Sequence, residues 1–113
     1  MTDQAAADGA ARVVRDEEKG RYEIWLGEKI AGFSAFTASG DSLVFTHTEI
    51  DGAFAGRGLG SVLAAGALDD VVARGEVIVP VCPFVAGFVR KNEERYTGHV
   101  DWPRNFRPVS GER

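Results

Sequence analysis

Phe54-Ala-Gly-Arg-Gly-Leu-Gly60, followed by the apolar, helix-compatible stretch 61–73 and then by Val79-Pro-Val-Cys-Pro-Phe84, decides the reading of this chain. Glycines at alternate positions, Gly56, Gly58 and Gly60, free the backbone to turn so that successive N–H groups point at one spot. A helix beginning there adds the positive end of its dipole, which makes the segment a cradle for an anion such as a diphosphate. The run lacks the Gly-Lys-Ser/Thr ending of a nucleotide P-loop. That argues against an ATPase.

At 113 residues the chain is long enough for one modest core and too short for two. With 44% hydrophobic and 27% charged residues it has the composition of an ordinary globular domain. A net charge of −4 and a pI near 5.1 disfavour nucleic acid or an anionic membrane as the main partner. Residues 1–10 are small and polar, with no basic patch and no apolar core, and read as a disordered leader. No stretch approaches the ~20 apolar residues of a membrane span, so a cytoplasmic protein is expected. One cysteine excludes an internal disulfide, and two histidines far from it give no zinc pattern.

Residues 12–15, the alternating Tyr22, Ile24 and Leu26, the segment 29–37 and the segment 43–50 read as four short strands. The turns fall at Gly27-Glu28 and Ser39-Gly40-Asp41, so the strands form an antiparallel meander. Strict alternation in the last strand puts Leu43, Phe45, His47 and Glu49 on one face and Val44, Thr46, Thr48 and Ile50 on the other. After the glycine run, Leu59, Val62, Leu63, Gly66, Ala67, Leu68 and Val71 form a helical apolar stripe, with Asp70 and Arg74 as an i,i+4 pair and Gly75 as the stop. Residues 76–82 return as a strand whose Pro80 cannot donate to a ladder, so the sheet is expected to be open on that side. Pro83 opens a second helix with Phe84, Val85, Phe88 and Val89 on its apolar face, which places Cys82 next to the N-cap. The fold class is therefore α+β, with a folded domain over 11–97 and an irregular tail over 98–113.

The order of these elements, with His47-Thr-Glu-Ile50, Gly56-Arg-Gly-Leu-Gly60, Ala67-Leu-Asp69 and Pro80-Val-Cys-Pro-Phe84 in succession, resembles the GNAT superfamily of acyl-CoA N-acyltransferases. More closely it resembles the very short GNAT-like subgroup with a proline-x-cysteine-x-aromatic motif, and the likeness spans residues 12 to 96. It implies a splayed pair of parallel strands and coenzyme A or acetyl-CoA as ligand. In that likeness the amides of Gly56, Arg57, Gly58, Leu59, Gly60 and Ser61 hold the pyrophosphate, Ala55 and Ile50 count among the cofactor-binding residues, and the pantetheine arm lies between the strands ending near Ile50 and Cys82. The pantetheine amides would then pair with unpaired strand backbone as another strand would. Two positions depart from the family pattern. Ala55 stands where Gln or Arg is usual, and Asn92-Glu-Glu-Arg-Tyr96 replaces the subgroup's His-Pro-Glu before tyrosine.

Cys82 has two readings. A thiol at a helix N-terminus sees the dipole's positive end, which favours the nucleophilic thiolate and makes it an acyl acceptor; a free cysteine is equally a small buried hydrophobe. Glu49 and His47 are the candidates for the base that must take a proton from an attacking ammonium, and a hydrogen-bonded structural histidine is the alternative for His47. Arg57 either clamps a phosphate or points to solvent. Lys91, beside Arg90, is the nearest cation for the ribose phosphate, or a solvated helix end. Three classes follow: an acetyltransferase acting on an amine, a non-catalytic CoA-binding or thiol-sensing module, and an interaction domain in which the glycine run is only a turn. The amine and the oligomeric state stay open at this level.

Overall fold

The computed structural model describes residues 11–103; the expected leader, residues 1–10, and the tail residues 104–113 lie outside the described residues. Five strands, β1 (Arg12–Asp16), β2 (Arg21–Leu26), β3 (Lys29–Ser39), β4 (Ser42–Ile50) and β5 (Val77–Pro80), form one sheet in sequence order. The first four pair antiparallel, and β5 joins β4 in parallel. The parallel step needs a crossover, which helix α1 (Leu59–Ala73) supplies. Two further helices follow, α2 (Pro83–Lys91) and the single turn α3 (Glu93–Tyr96). The fold is α+β, as the spacing of the elements predicts. Among the described residues no helix is long and apolar enough to cross a membrane.

One core lies between the sheet and the helices. Tyr22, Ile24, Phe36, Leu43, Phe45 and Ile78 from the strands meet Leu63, Leu68, Val71, Val85 and Val89 from the helices. Each side chain of this kind contributes about 1.5–3 kcal/mol when fully buried. Helix α1 buries Leu59, Leu63, Ala64, Ala67, Leu68 and Val71, whereas Val62, expected in the stripe, is 44% exposed. The helix stops as Gly75 predicts: at φ +76° its N–H donates to Val72 O, while Glu76 N–H donates to Val71 O. Those two bonds make a Schellman cap.

At the end of the sheet away from the glycine run, a polar cluster ties four elements together. The Arg15 guanidinium donates to both carboxylate oxygens of Glu76 at 2.8 and 3.3 Å and to the Tyr22 hydroxyl at 3.0 Å. Tyr22 in turn donates to Asp70 Oδ2 at 2.7 Å, and Arg74 Nε donates to the same oxygen at 2.7 Å. Burial pushes the Tyr22 hydroxyl well above the usual tyrosine range, and its bond to Asp70 adds to the effect. For Asp70, burial works upward, but the bonds from Tyr22 and Arg74 outweigh it and hold the carboxyl below its ordinary value.

Residues 98–103 are irregular but tied to the sheet. Val100 bridges Ile78 in parallel, Ile78 N–H donates to His99 O, and Asp101 N–H donates to Ile78 O. This pairing occupies the outer edge of β5. Tyr96, buried, donates to Asp69 Oδ1 at 3.1 Å and fastens α3 to α1.

Candidate active site

Two irregularities open the sheet between β4 and β5. The first is in β4, where Ala35 pairs His47 but Phe36 pairs Phe45, so Thr46 is an extra residue and a β-bulge. The bulge reverses the alternation. Before it Leu43 and Phe45 face the helices; after it Thr48 and Ile50 do, and His47 and Glu49 turn to the other side. The expectation that Leu43, Phe45, His47 and Glu49 share a face is therefore corrected. A bulge adds one residue to one strand, and a side-chain period of two cannot survive it.

The second irregularity ends β5. Val81 N–H donates to Val79 O at 3.1 Å, the i→i+2 contact of an inverse γ-turn centred on Pro80, whose fixed φ suits that turn. Val81 N–H and Cys82 N–H also both donate to Phe45 O, at 3.1 and 2.8 Å, and the parallel pairing goes no further. Pro80 thus opens the sheet by turning the chain away. Its missing N–H itself falls on the outer edge, the side where Ile78 bonds residues 99 and 101, and not on the side facing β4.

Past Phe45 no strand among the described residues pairs with the edge of β4. Asp51 N–H donates to Ala31 O, which makes Gly32 and Ile50 a non-hydrogen-bonded pair. By alternation Ser34 and Thr48 are another. The amides and carbonyls of Thr48 and Ile50 therefore point across the gap. Beyond Ile50, Asp51 accepts from Ala53 N–H and caps a 3-10 turn over Gly52–Phe54. The Ala55 amide closes that turn onto Gly52 O at 3.2 Å.

Gly56 (φ +82°) and Gly58 (φ +74°) then carry the chain into α1 through left-handed conformations that favour glycine. Gly58 is the N-cap, no side chain caps the helix, and no acidic residue occupies its first turn. The first intrahelical bond is Val62 N–H to Gly58 O, so the amides of Leu59, Gly60 and Ser61 have no acceptor within the helix. Gly60 serves packing and not turning. A Cβ there would lie 2.9 Å from Phe84 Cζ, so only glycine lets the Phe84 ring cross the mouth of the loop. Arg57 is exposed, with its guanidinium 5.6 Å from the Phe54 ring centre. Ser61, Phe84, Gly87, Phe88, Lys91 and Asn92 line a concavity of about 420 Å³ beside the free amides.

Cys82 is the N-cap of α2, is 4% exposed, and belongs to the core cluster. Its Sγ donates to Thr48 Oγ1 at 3.4 Å, and Thr48 Oγ1 lies 2.9 Å from Ser34 Oγ. His47 and Glu49 line the opposite face of the sheet with side chains 62% and 60% exposed, their Nε2 and Oε1 3.4 Å apart. The His47 ring packs 6.0 Å from Phe33. His47 is thus a surface residue, in place of the semi-buried structural histidine that was its alternative. Cys82 and Ile50 thus lie on the helix side of the sheet, the loop 56–61 follows at the start of α1, and His47 and Glu49 lie on the opposite face. Thr48 and Ser34 went unnoticed in the sequence because the bulge that aims Thr48 at Cys82 leaves no mark there. Phe84 is legible as the aromatic of the cysteine motif and as an apolar helix residue, but not as a ring lying over Gly60.

A sheet of this order, antiparallel except for its last pair and with helix α1 as the crossover, has the architecture of a GNAT-like fold. The model of the family described as GCN5-related N-acetyl-transferase matches residues 21–99, more than half of the chain, and the protein belongs to that family. No curated protein matches the chain.

Proposed function

We propose that the protein is an N-acetyltransferase that uses acetyl-CoA and passes the acetyl group to an amine. The observation that carries this is the continuity of bare edge and bare helix start: unpaired backbone at Thr48 and Ile50 leads directly to the free amides of Leu59, Gly60 and Ser61. The first suits the amide-bearing pantetheine arm, and the second suits a pyrophosphate. Gly56 and Gly58 give the loop its curvature, and Arg57 supplies charge at its rim. Ala55, whose amide is already bonded, contributes shape only. Lys91 and Phe84, in the adjoining concavity, fit a ribose phosphate and an adenine ring. Acetyl-CoA supplies the acetyl thioester. Glu49, with His47 beside it, takes the proton that an ammonium must lose before its nitrogen can attack, and Cys82 faces the same gap from the dry side. Two exposed groups with one carboxylate suit a cationic amine arriving from solvent. A cytoplasmic setting, where acetyl-CoA and amines meet, fits this chemistry.

A second reading, a CoA-binding module without turnover, is favoured by the near-complete burial of Cys82. Thermal melts with CoA, acetyl-CoA, ADP and pantetheine test the shared element. At ~100 times its dissociation constant a ligand adds about 2.7 kcal/mol, which raises the midpoint of a small domain by several degrees. A shift with CoA larger than with ADP is expected; no shift with either CoA form overturns both readings. Release of free CoA from acetyl-CoA in the presence of a panel of amines then separates catalyst from binder.

A further inference from the structure

We propose that Thr48 and Ser34 are positioning residues that form a reversible hydroxyl relay to the sulfur of Cys82. The inference rests on the reading of Cys82 as a working thiol at the gap. The three side chains come from β4, β3 and the start of α2. They are joined by contacts of 3.4 Å (Cys82 Sγ to Thr48 Oγ1) and 2.9 Å (Thr48 Oγ1 to Ser34 Oγ). Ser34 is 1% exposed and Cys82 4%, so neither finds solvent as a substitute partner. Ser34 and Thr48 face each other at a non-hydrogen-bonded pair, where opposed side chains approach most closely.

A hydroxyl donates one hydrogen and accepts others, so this chain can run in two directions. With the thiol protonated, sulfur donates to Thr48 and Thr48 donates to Ser34. When the proton has gone to hydroxide in the solvent, Ser34 donates to Thr48 and Thr48 donates to the thiolate. In both states the sulfur and the Thr48 hydroxyl keep a hydrogen-bond partner without moving a backbone atom and without a buried cation. Ser34 is needed because Thr48 has a single hydrogen: once Thr48 turns to the sulfur, its oxygen requires a donor behind it. Among the described residues no charged side chain substitutes. His47 and Glu49 occupy the opposite face of β4, Lys91 is at the far end of α2, the Tyr96 hydroxyl is committed to Asp69, and Tyr22 to Asp70. The start of α2 contributes its dipole alone.

The test is the thiolate absorbance near 240 nm of the ligand-free protein titrated from neutral to alkaline pH, with Cys82→Ser as the blank. The chain's single cysteine makes the signal unambiguous. In Thr48→Val the thiolate should appear at a pH about one unit higher, since hydrogen bonds to charged groups are strong. Thr48→Ser, which keeps the hydroxyl, should restore the original behaviour. Ser34→Ala, with Thr48 intact, should move the titration in the same direction by a smaller amount. A pair that only holds two strands together would lower the melting temperature in both variants and leave the thiolate titration unmoved, and that result overturns the relay. If Thr48→Val does not fold, an unmoved titration in Ser34→Ala is sufficient to overturn it. The titration uses no ligand, so failure of CoA to bind would defeat the acetyltransferase reading without touching this result, and the reverse also holds.

Discussion

The ring of Phe84 lies across the Cα of Gly60, with room for no side chain between them. Gly60 therefore sits inside α1 for a steric reason, whereas Gly58, two residues earlier, sits at its N-cap for a conformational one. The two glycines answer differently to the same substitution.

Gly60→Ala gains helix propensity of up to about 1 kcal/mol and displaces the far end of a flexible, half-exposed ring. The expected outcome is unchanged or slightly raised thermal stability together with weaker CoA binding, read from melts with and without the ligand. A loss of several degrees in the free protein would show that the ring cannot yield.

Gly58→Ala forces a left-handed backbone on a residue with a Cβ, at a cost of about 1–2 kcal/mol. Stability should fall accordingly, and the amides of Leu59 to Ser61 should lose their common aim. Isothermal titration should then find CoA and ADP weakened by a similar factor, because the damage is to the proposed site for the diphosphate they share.

Lys91→Ala addresses the ribose phosphate. It should weaken CoA several-fold while leaving dephospho-CoA unchanged, and the difference should shrink at high salt because the lysine is exposed. Equal losses for both ligands would remove Lys91 from this role.

Glu49→Gln and His47→Gln change exposed side chains and should leave the melting temperature almost unmoved. In the proposed role of proton acceptor, Glu49 should lose turnover by about 100-fold or more when changed, with CoA affinity intact. Cys82→Ala should also keep CoA binding and abolish transfer if the thiol carries the acetyl group. Retained turnover would assign direct attack by the amine.

The pH limits of stability follow from buried partners. Burial, aided by the bond to Asp69, pushes the Tyr96 hydroxyl up to about 12, and Tyr22 is raised further. For a raised group the stabilisation is complete below the unfolded value, about 10, and drains away as pH rises through the folded one. Denaturant midpoints should fall between pH 10 and 12, and Tyr96→Phe should flatten that decline. Asp70 is lowered, so its contribution is present above about 3.9 and is lost as pH falls below it. Asp70→Asn should blunt the acid limb.

Local signals made most of the architecture legible. Gly75 ends α1, Pro83 starts α2, and the turns at residues 27–28 and 39–41 define the meander, each through backbone chemistry confined to a few residues. The stripe on α1 was less clear, since a helix apolar nearly all round hides which side is buried. Val62 was included and Ala64 overlooked for that reason. The bulge at Thr46 was invisible because threonine suits a regular strand equally well, and the pairing partners on β3 decide where the extra residue goes. Everything that depends on the bulge, from the exposure of His47 to the approach of Thr48 to Cys82, was hidden with it. The loop 56–61 was legible because Gly56 and Gly58 adopt left-handed conformations that other residues adopt badly.

The carbonyl of Phe45 accepts from both Val81 and Cys82, which uses its two lone pairs. With that acceptor saturated and Pro80 already turning β5 aside, the two strands have no further bond to form, and they cannot zip shut when nothing lies between them. The open edge of β4 is thus set by the chain's own bonds. For the proposed ligand, association should then proceed in a single kinetic phase whose rate scales with ligand concentration.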